Sequence, residues 1–280
     1  MKRSAQAAPR ENTMAIGISL GSSNSSLRSL NTISRNLSKS LEKLSSGSRI
    51  PRASFDAAGL AISERLKSLT SSLTQGVRNL NDGISATRIA EGALNETSNI
   101  LGRLRELSIQ AQNGTLNGSQ KKAIQREFDQ LTAQVSDIAS NTNFNGTKLL
   151  DGNESIEIVD GSGGEATEVA STDQSASSLG VEGLDASDPA TLDRLDQAIR
   201  SVSSSRARLG ATENRLSSRV RSQLIAIENT ARANSQIRDT DFAKESSNLL
   251  KNQILSKASI SVLAQANTGA AIVLKLLGQR

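Results

Sequence analysis

The stretch Ile124-Gln-Arg-Glu-Phe128-Asp-Gln-Leu131-Thr-Ala-Gln-Val135-Ser-Asp-Ile138 decides the fold. Its apolar residues recur at intervals of four, three, four and three, the spacing that keeps one face of an α-helix against a partner. The residues between them are charged, amide or small, so the apolar seam is narrow. A helix with a narrow seam buries its apolar atoms only against another helix. The next question is where the chain supplies such partners.

Upstream, Leu30, Leu37 and Leu44 repeat every seven residues with Leu27, Ile33 and Leu41 beside them, an apolar stripe on a helix. Ser45-Ser-Gly47 and Pro51 stop it. A second helical block runs from about Ala57 to Ile109 through Leu66, Leu69, Leu73, Val77, Leu80 and Ile84, then Leu94, Ile100, Leu101, Leu104 and Leu107. Asn113-Gly114 and Asn117-Gly118 mark the loop before the central seam, and Asn145-Gly146 ends it. Ser155-Ile-Glu-Ile-Val159 then alternates as a strand does, Gly161-Ser-Gly-Gly164 turns, and Ala166 to Ala170 returns, which predicts a small β-hairpin. The Ser-, Asp- and Gly-rich remainder, to Pro189, reads as a surface loop.

Helical spacing resumes at Leu192 and continues through Leu195, Ile199, Val202, Leu209, Leu216, Val220, Leu224 and Ile227. Arg206 and Glu213 occupy two of the seam positions, where a partner must offer polar groups. A last helix covers about Asp241 to Leu277 and ends in Ile272-Val-Leu-Lys-Leu-Leu277. Together these segments predict a mainly α fold: a long antiparallel helical hairpin or coiled-coil bundle with a small β-hairpin at its central tip. The expected divisions are residues 1–56, 57–150, 151–190, 191–236 and 237–280.

Composition removes most chemistry. The 280 residues include no Cys, His, Trp or Tyr, and the aromatics are Phe55, Phe128, Phe144 and Phe242. A Ser-His-Asp triad, a thiol nucleophile and an ordinary zinc site are therefore excluded. No run of about 18 apolar residues exists to cross a membrane. Met1-Lys-Arg3 is followed by no continuous apolar core or cleavage site, so the N-terminus does not read as a secretory signal peptide, and export would need another route. Residues 151–193 hold eleven acidic and no basic side chains, leaving 17 acidic against 33 basic residues elsewhere. Those basic residues are spread along helices without aromatic platforms, which argues for solvated faces and inter-subunit pairing rather than nucleic acid. Asp239 and Asp241 form a carboxylate pair at a helix start and read as caps; Gly161-Ser-Gly-Gly164 lacks the Lys and following helix of a phosphate loop. No enzyme, metal or cofactor follows.

The ends of the chain point to assembly. Fixing a residue's backbone costs about 1–2 kcal/mol, while a fully buried Leu returns about 1.5–3 kcal/mol. Over the first 45 and last 40 residues apolar positions come only about every third or fourth residue, among many Ser, Asn and Gln. Those ends are expected to be poorly ordered in a monomer and to fold against neighbouring subunits. The residues expected to pack subunits are Leu30, Leu37 and Leu44; Ile124, Phe128 and Leu131; Leu195, Ile199 and Val202; and Val262, Leu263, Val273, Leu274 and Leu277.

Eight motifs name a family. Leu41-Glu-Lys-Leu-Ser-Ser-Gly47, Asp56-Ala-Ala-Gly-Leu-Ala-Ile62, Asn81-Asp-Gly-Ile84, Glu91-Gly-Ala-Leu-Asn-Glu96 and Leu104-Arg-Glu-Leu107 resemble, in order, the N-terminal half of bacterial flagellins. Arg208-Leu-Gly-Ala-Thr-Glu-Asn-Arg-Leu216, Ile237-Arg-Asp-Thr-Asp241 and Ser261-Val-Leu-Ala-Gln-Ala-Asn267 are similar to the C-terminal half. The resemblance begins near Met14 and skips the acidic centre, so the chain looks like a minimal flagellin whose acidic tip faces solvent. It implies a self-polymerising filament subunit for swimming, placed outside the cell, with terminal helices forming an inner tube. It also implies export, unfolded, through the flagellar type III apparatus, and a chaperone bound near Ile254, Leu255, Ile260, Val262 and Leu263. Filament-cap and hook-filament junction proteins would be further partners. A Toll-like innate receptor would read Arg103, Leu107 and Glu127, although Gly102 stands where many receptor-stimulating members have Gln. Pro51 and Phe55 depart from the family's polar residues, and residues 1–13 have no counterpart there. The alternative reading is a hook-filament junction protein; a signalling coiled coil would lack the apolar segment Ile272 to Leu277.

Overall fold

The computed structural model describes residues 10–161, 163 and 166–277, and within them the side chains of residues 24–161, 163 and 166–269. Contacts divide the chain into a terminal unit, residues 1–65 and 233–280, and a middle unit, residues 66–232. The helices are α1 (Arg10–Ser46), α2 (Ala57–Ala111), α3 (Gly118–Asn141), α4 (Pro189–Arg238) and α5 (Phe242–Leu277). The chain is mainly α with small antiparallel hairpins.

In the terminal unit, α1 packs along α5. Gly47, at φ 66°, ends α1 in the left-handed conformation that costs a residue without a Cβ nothing. The loop then meets the break between α4 and α5. Ser48 and Asp239 form an antiparallel bridge, Arg49 N donates to Arg238 O at 2.6 Å, and Thr240 N donates to Gly47 O at 3.0 Å. Both helices that leave this junction are capped by carboxylates: Asp56 accepts from Gly59 N at 2.9 Å, and Asp241 accepts from Lys244 N at 3.0 Å. The Asp241 carboxylate thus does the capping its position suggests.

In the middle unit, α3 opens with a reciprocal capping box between Asn117 and Gln120, each bond 2.9 Å. Leu94, Leu101, Leu104, Leu107, Phe128, Val135, Leu195 and Val202 share one buried apolar cluster. The sequence expectation that Asn145-Gly146 merely ends α3 is corrected. Asn145 at φ 50° and Gly146 at φ 89° form the tight turn of a hairpin joining β1 (Asn143–Phe144) to β2 (Thr147–Lys148). The expected hairpin follows as β3 (Ile156–Ile158) and β4 (Thr167–Val169).

This second hairpin is seated by backbone as much as by side chains. A Cβ at Gly76 would lie 1.7 Å from the Asp160 carbonyl oxygen, so the hairpin approaches α2 closer than any other residue allows. Asn79 Nδ2 donates to Val159 O at 2.9 Å, and Gln223 of α4 donates to Asp160 O. Arg219 Nη1 lies 3.3 Å from the mostly buried Asp160 carboxylate.

The stretch expected to be a surface loop is also corrected. Ala176, Leu179, Val181 and Ala186 are buried in the main cluster. Gln174 N donates to Leu150 O at 3.0 Å, and Ser108 Oγ donates to Ala186 O at 3.0 Å. The acidic residues of this segment stay outside while its scattered aliphatics cover the core, so the tip is not a solvated loop throughout.

Candidate assembly surfaces

The helical seams find partners within the middle unit itself. Ile124, Phe128, Leu195 and Val202 are buried in the main cluster, with Leu131 and Ile199 packed against it. The polar groups owed to the two charged seam positions also come from the same chain: Arg88 Nε lies 2.8 Å from Glu213, and Arg206 lies 3.9 Å from Glu91. Arg206 is partly exposed and Arg88 mostly so, and both guanidinia meet their carboxylates at the edge of the seam with part of their charge in water. These six apolar side chains, expected at subunit contacts, are consumed by internal packing.

Arg103 and Glu127 are brought together across α2 and α3 at 2.8 Å, both about half exposed, and Arg103 also reaches Glu106 at 3.2 Å. Its hydrogen bond to Glu127, aided by that to Glu106, raises the guanidinium above its ordinary value. A raised base loses its stabilising contribution only above its ordinary titration, so neutral pH leaves the pair intact. Leu107, expected beside them on the surface, is 1% exposed and belongs to the core. The apolar spacing of α2 sets Leu107 with Leu101 and Leu104, and all three are buried; the surface role was implied by the resemblance alone.

The terminal unit presents the opposite picture. Leu30, Leu37 and Leu44 of α1 are half-buried, whereas Leu27 and Leu41 are exposed. On α5, Leu250, Ile254, Leu255, Ile260 and Val262 are exposed, Val262 at 60%, and Leu263 is half-buried. Val273, Leu274 and Leu277 lie outside the residues whose side chains are described. Phe55 is a feature the sequence flagged but did not explain. Lys39, Lys43 and Arg52 each place their charge 5.8–5.9 Å from its ring centre, within the range of attraction between a cation and a π face. Glu42 pairs with Arg52, and Glu245 of α5 lies 3.8 Å from Lys43. The aromatic ring therefore gathers α1, its loop and α5 into one charged cluster.

Chemistry is sparse on these surfaces. Among the described residues no group of three or more His, Cys, Asp or Glu side chains could hold a metal ion, and no helix is long and apolar enough to cross a membrane. What the molecule offers is helical surface.

Comparison with known proteins accounts for that surface. The bacterial flagellin N-terminal helical region matches residues 19–155, and the bacterial flagellin C-terminal helical region matches residues 192–277. The flagellin of Bacillus subtilis (strain 168) is 41% identical over 297 residues, covering 90% of this chain and 97% of that one. The flagellar filament 33 kDa core protein of Treponema phagedenis is 39% identical over 277 residues, covering 89% and 95%. A crystal structure of Bacillus cereus flagellin, 33% identical, aligns with 52% of this chain and 88% of that chain at a TM-score of 0.48. With both family regions matched in order around a short centre, the chain belongs to the bacterial flagellin family and is a structural subunit of the flagellar filament.

Proposed function

We propose that the subunit polymerises through its terminal unit, and that α1 and α5 gain from neighbouring copies the cover they do not find in one chain. The observation that carries this reading is the run of exposed aliphatics on α5 from Leu250 to Val262. Each such side chain returns about 1.5–3 kcal/mol when fully buried. Repeated on every copy, that gain adds to the cover α1 already gives α5, so burial by neighbours favours the polymer over the monomer. Leu30, Leu37, Leu44, Val262, Leu263, Val273, Leu274 and Leu277 are the residues assigned to these contacts.

The finished polymer stands outside the cell, and the chain reaches it unfolded through the flagellar type III apparatus. Before assembly the same α5 residues, Ile254, Leu255, Ile260, Val262 and Leu263, are covered by an export chaperone, because an exposed apolar surface of that kind otherwise drives premature association. Cap and hook-filament junction proteins meet the polymer at its ends. Arg103 and Glu127, exposed and paired, are the residues of the middle unit that a Toll-like receptor would meet; the chain acts by packing and carries no catalysis.

Electron microscopy of the purified chain after seeding with filament fragments, beside a truncation lacking residues 254–280, tests the reading. Filaments from the full chain and none from the truncation are expected. Monomers from the full chain under every seeding and salting condition would move the assignment to a hook-filament junction protein.

A further inference from the structure

The middle unit presents a groove and a ridge that its own packing leaves uncovered. The groove, about 230 Å3, is bounded by Phe144 of β1, by Ile156 to Val159 along β3, and by Asn79, Asp82 and Ala86 of α2. Among the described residues β3 pairs with β4 alone, so its other edge has no sheet partner there. Val159, at the lip, is 57% exposed. Asp82 and Glu157 are exposed, and neither enters an ion pair among the described residues. The groove is thus apolar inside and negative at its rim.

The ridge lies on α4. Arg221, Leu224 and Ile225 are spaced i, i+3 and i+4, so they share one face of the helix. Leu224 is 51% and Ile225 60% exposed, and Arg221 is exposed beside them. The ridge is apolar with a positive flank, the converse of the groove.

Resting on the filament reading, we propose that the groove of one copy receives the Arg221–Leu224–Ile225 ridge of a second copy. The guanidinium meets the Asp82 and Glu157 carboxylates, while the two aliphatics cover Val159 and Phe144. Groove and ridge are unlike surfaces, so the contact is heterologous: each copy keeps a free groove and a free ridge, and the contact propagates instead of closing into a dimer. It is also small beside the roughly 1,000 Å2 that a stable isolated interface needs. The contact therefore forms only alongside the terminal-unit contacts of the polymer, and dilute chains stay monomeric.

The absence of cysteine from the chain makes the test clean. Val159→Cys and Ile225→Cys, both at exposed positions, are prepared separately, checked for wild-type helicity, mixed, polymerised from wild-type seeds and oxidised. A disulfide-linked dimer from filaments of the mixture, absent from either variant polymerised alone and from unpolymerised mixtures, is the expected result. Filaments without the linked dimer overturn the groove-and-ridge contact and leave the filament reading standing. A linked dimer from unpolymerised chains also overturns it, because the contact then closes without a lattice. Failure of wild type to polymerise overturns the reading on which the proposal rests. Independently, the Asp82→Arg/Glu157→Arg double variant is expected to raise the critical concentration about three- to ten-fold. Adding Arg221→Glu chains should restore it; no change in critical concentration would refute the charged half of the contact.

Discussion

Within the middle unit, α2 covers Leu80, Leu94, Leu101 and Leu104 completely; on α5 of the terminal unit no described side chain is buried, and five large aliphatics stand exposed. Both are long helices of similar residue types. The difference lies in what faces them: α2 meets α3, α4 and the two hairpins, which close an aliphatic core around it, while α5 runs along α1 and covers only one stripe. Helix formation and core formation are thus separate events in this chain, the first legible in spacing and the second dependent on neighbours.

Hydrogen exchange of the dilute monomer gives the largest contrast. Core amides of α2, α3 and α4 should exchange at least ~10^3-fold more slowly than those of α5, and polymerisation should slow α5 to match. Equal protection of the two units in the monomer would break the comparison.

Single truncations sharpen it. Leu104→Ala should destabilise the middle unit by about 3 kcal/mol in urea denaturation, through lost transfer energy and a residual cavity. Leu250→Ala should stay within about 0.5 kcal/mol in the monomer and should act instead on the critical concentration for filaments. A large monomer effect at Leu250 would show that α5 is already covered.

Glycine substitution separates close packing from open surface. Alanine favours a helix over glycine by about 1 kcal/mol. At Gly76 the new Cβ meets the Asp160 carbonyl, which cannot yield without moving the hairpin, so Gly76→Ala should lose about 1–2 kcal/mol net on thermal denaturation. At Gly269 on α5 nothing lies within 4 Å of the new atom, and Gly269→Ala should gain about 0.5–1 kcal/mol of helix stability. A stabilised Gly76→Ala would show that the hairpin is held loosely.

The helices were legible because their apolar residues keep a period, and the β3–β4 hairpin because Ile156 and Ile158 alternate. The polar partners expected at Arg206 and Glu213 were also legible, since a charge in a seam demands one. The first hairpin was obscured because Asn145-Gly146 signals both a helix stop and a tight turn, and two-residue strands are too short to show alternation. Residues 174–186 were obscured because Ala176, Leu179, Val181 and Ala186 keep neither helical nor strand spacing; an irregular segment buries side chains wherever its path points them. Leu107 was legible as well, since its spacing sets it with Leu101 and Leu104 on the apolar stripe; the surface contact implied by the resemblance was the reading that failed.

The latch between residues 47–49 and 238–240 is written mostly in main-chain atoms. Beside one bond from Ser48 Oγ to Arg238 O at 3.2 Å, its bonds run between backbone N–H and C=O groups, which every residue except proline supplies alike. Substitutions at Arg49, Asp239 and Thr240 therefore leave these main-chain bonds in place, whereas loss of the Ser48 hydroxyl removes one bond to Arg238 O. Gly47 is the exception, because its positive φ charges any other side chain a steric toll. A junction of this design is heritable through its geometry: lineages can rewrite the surface around it, charge and polarity included, while the loop after α1 stays joined to the break between α4 and α5.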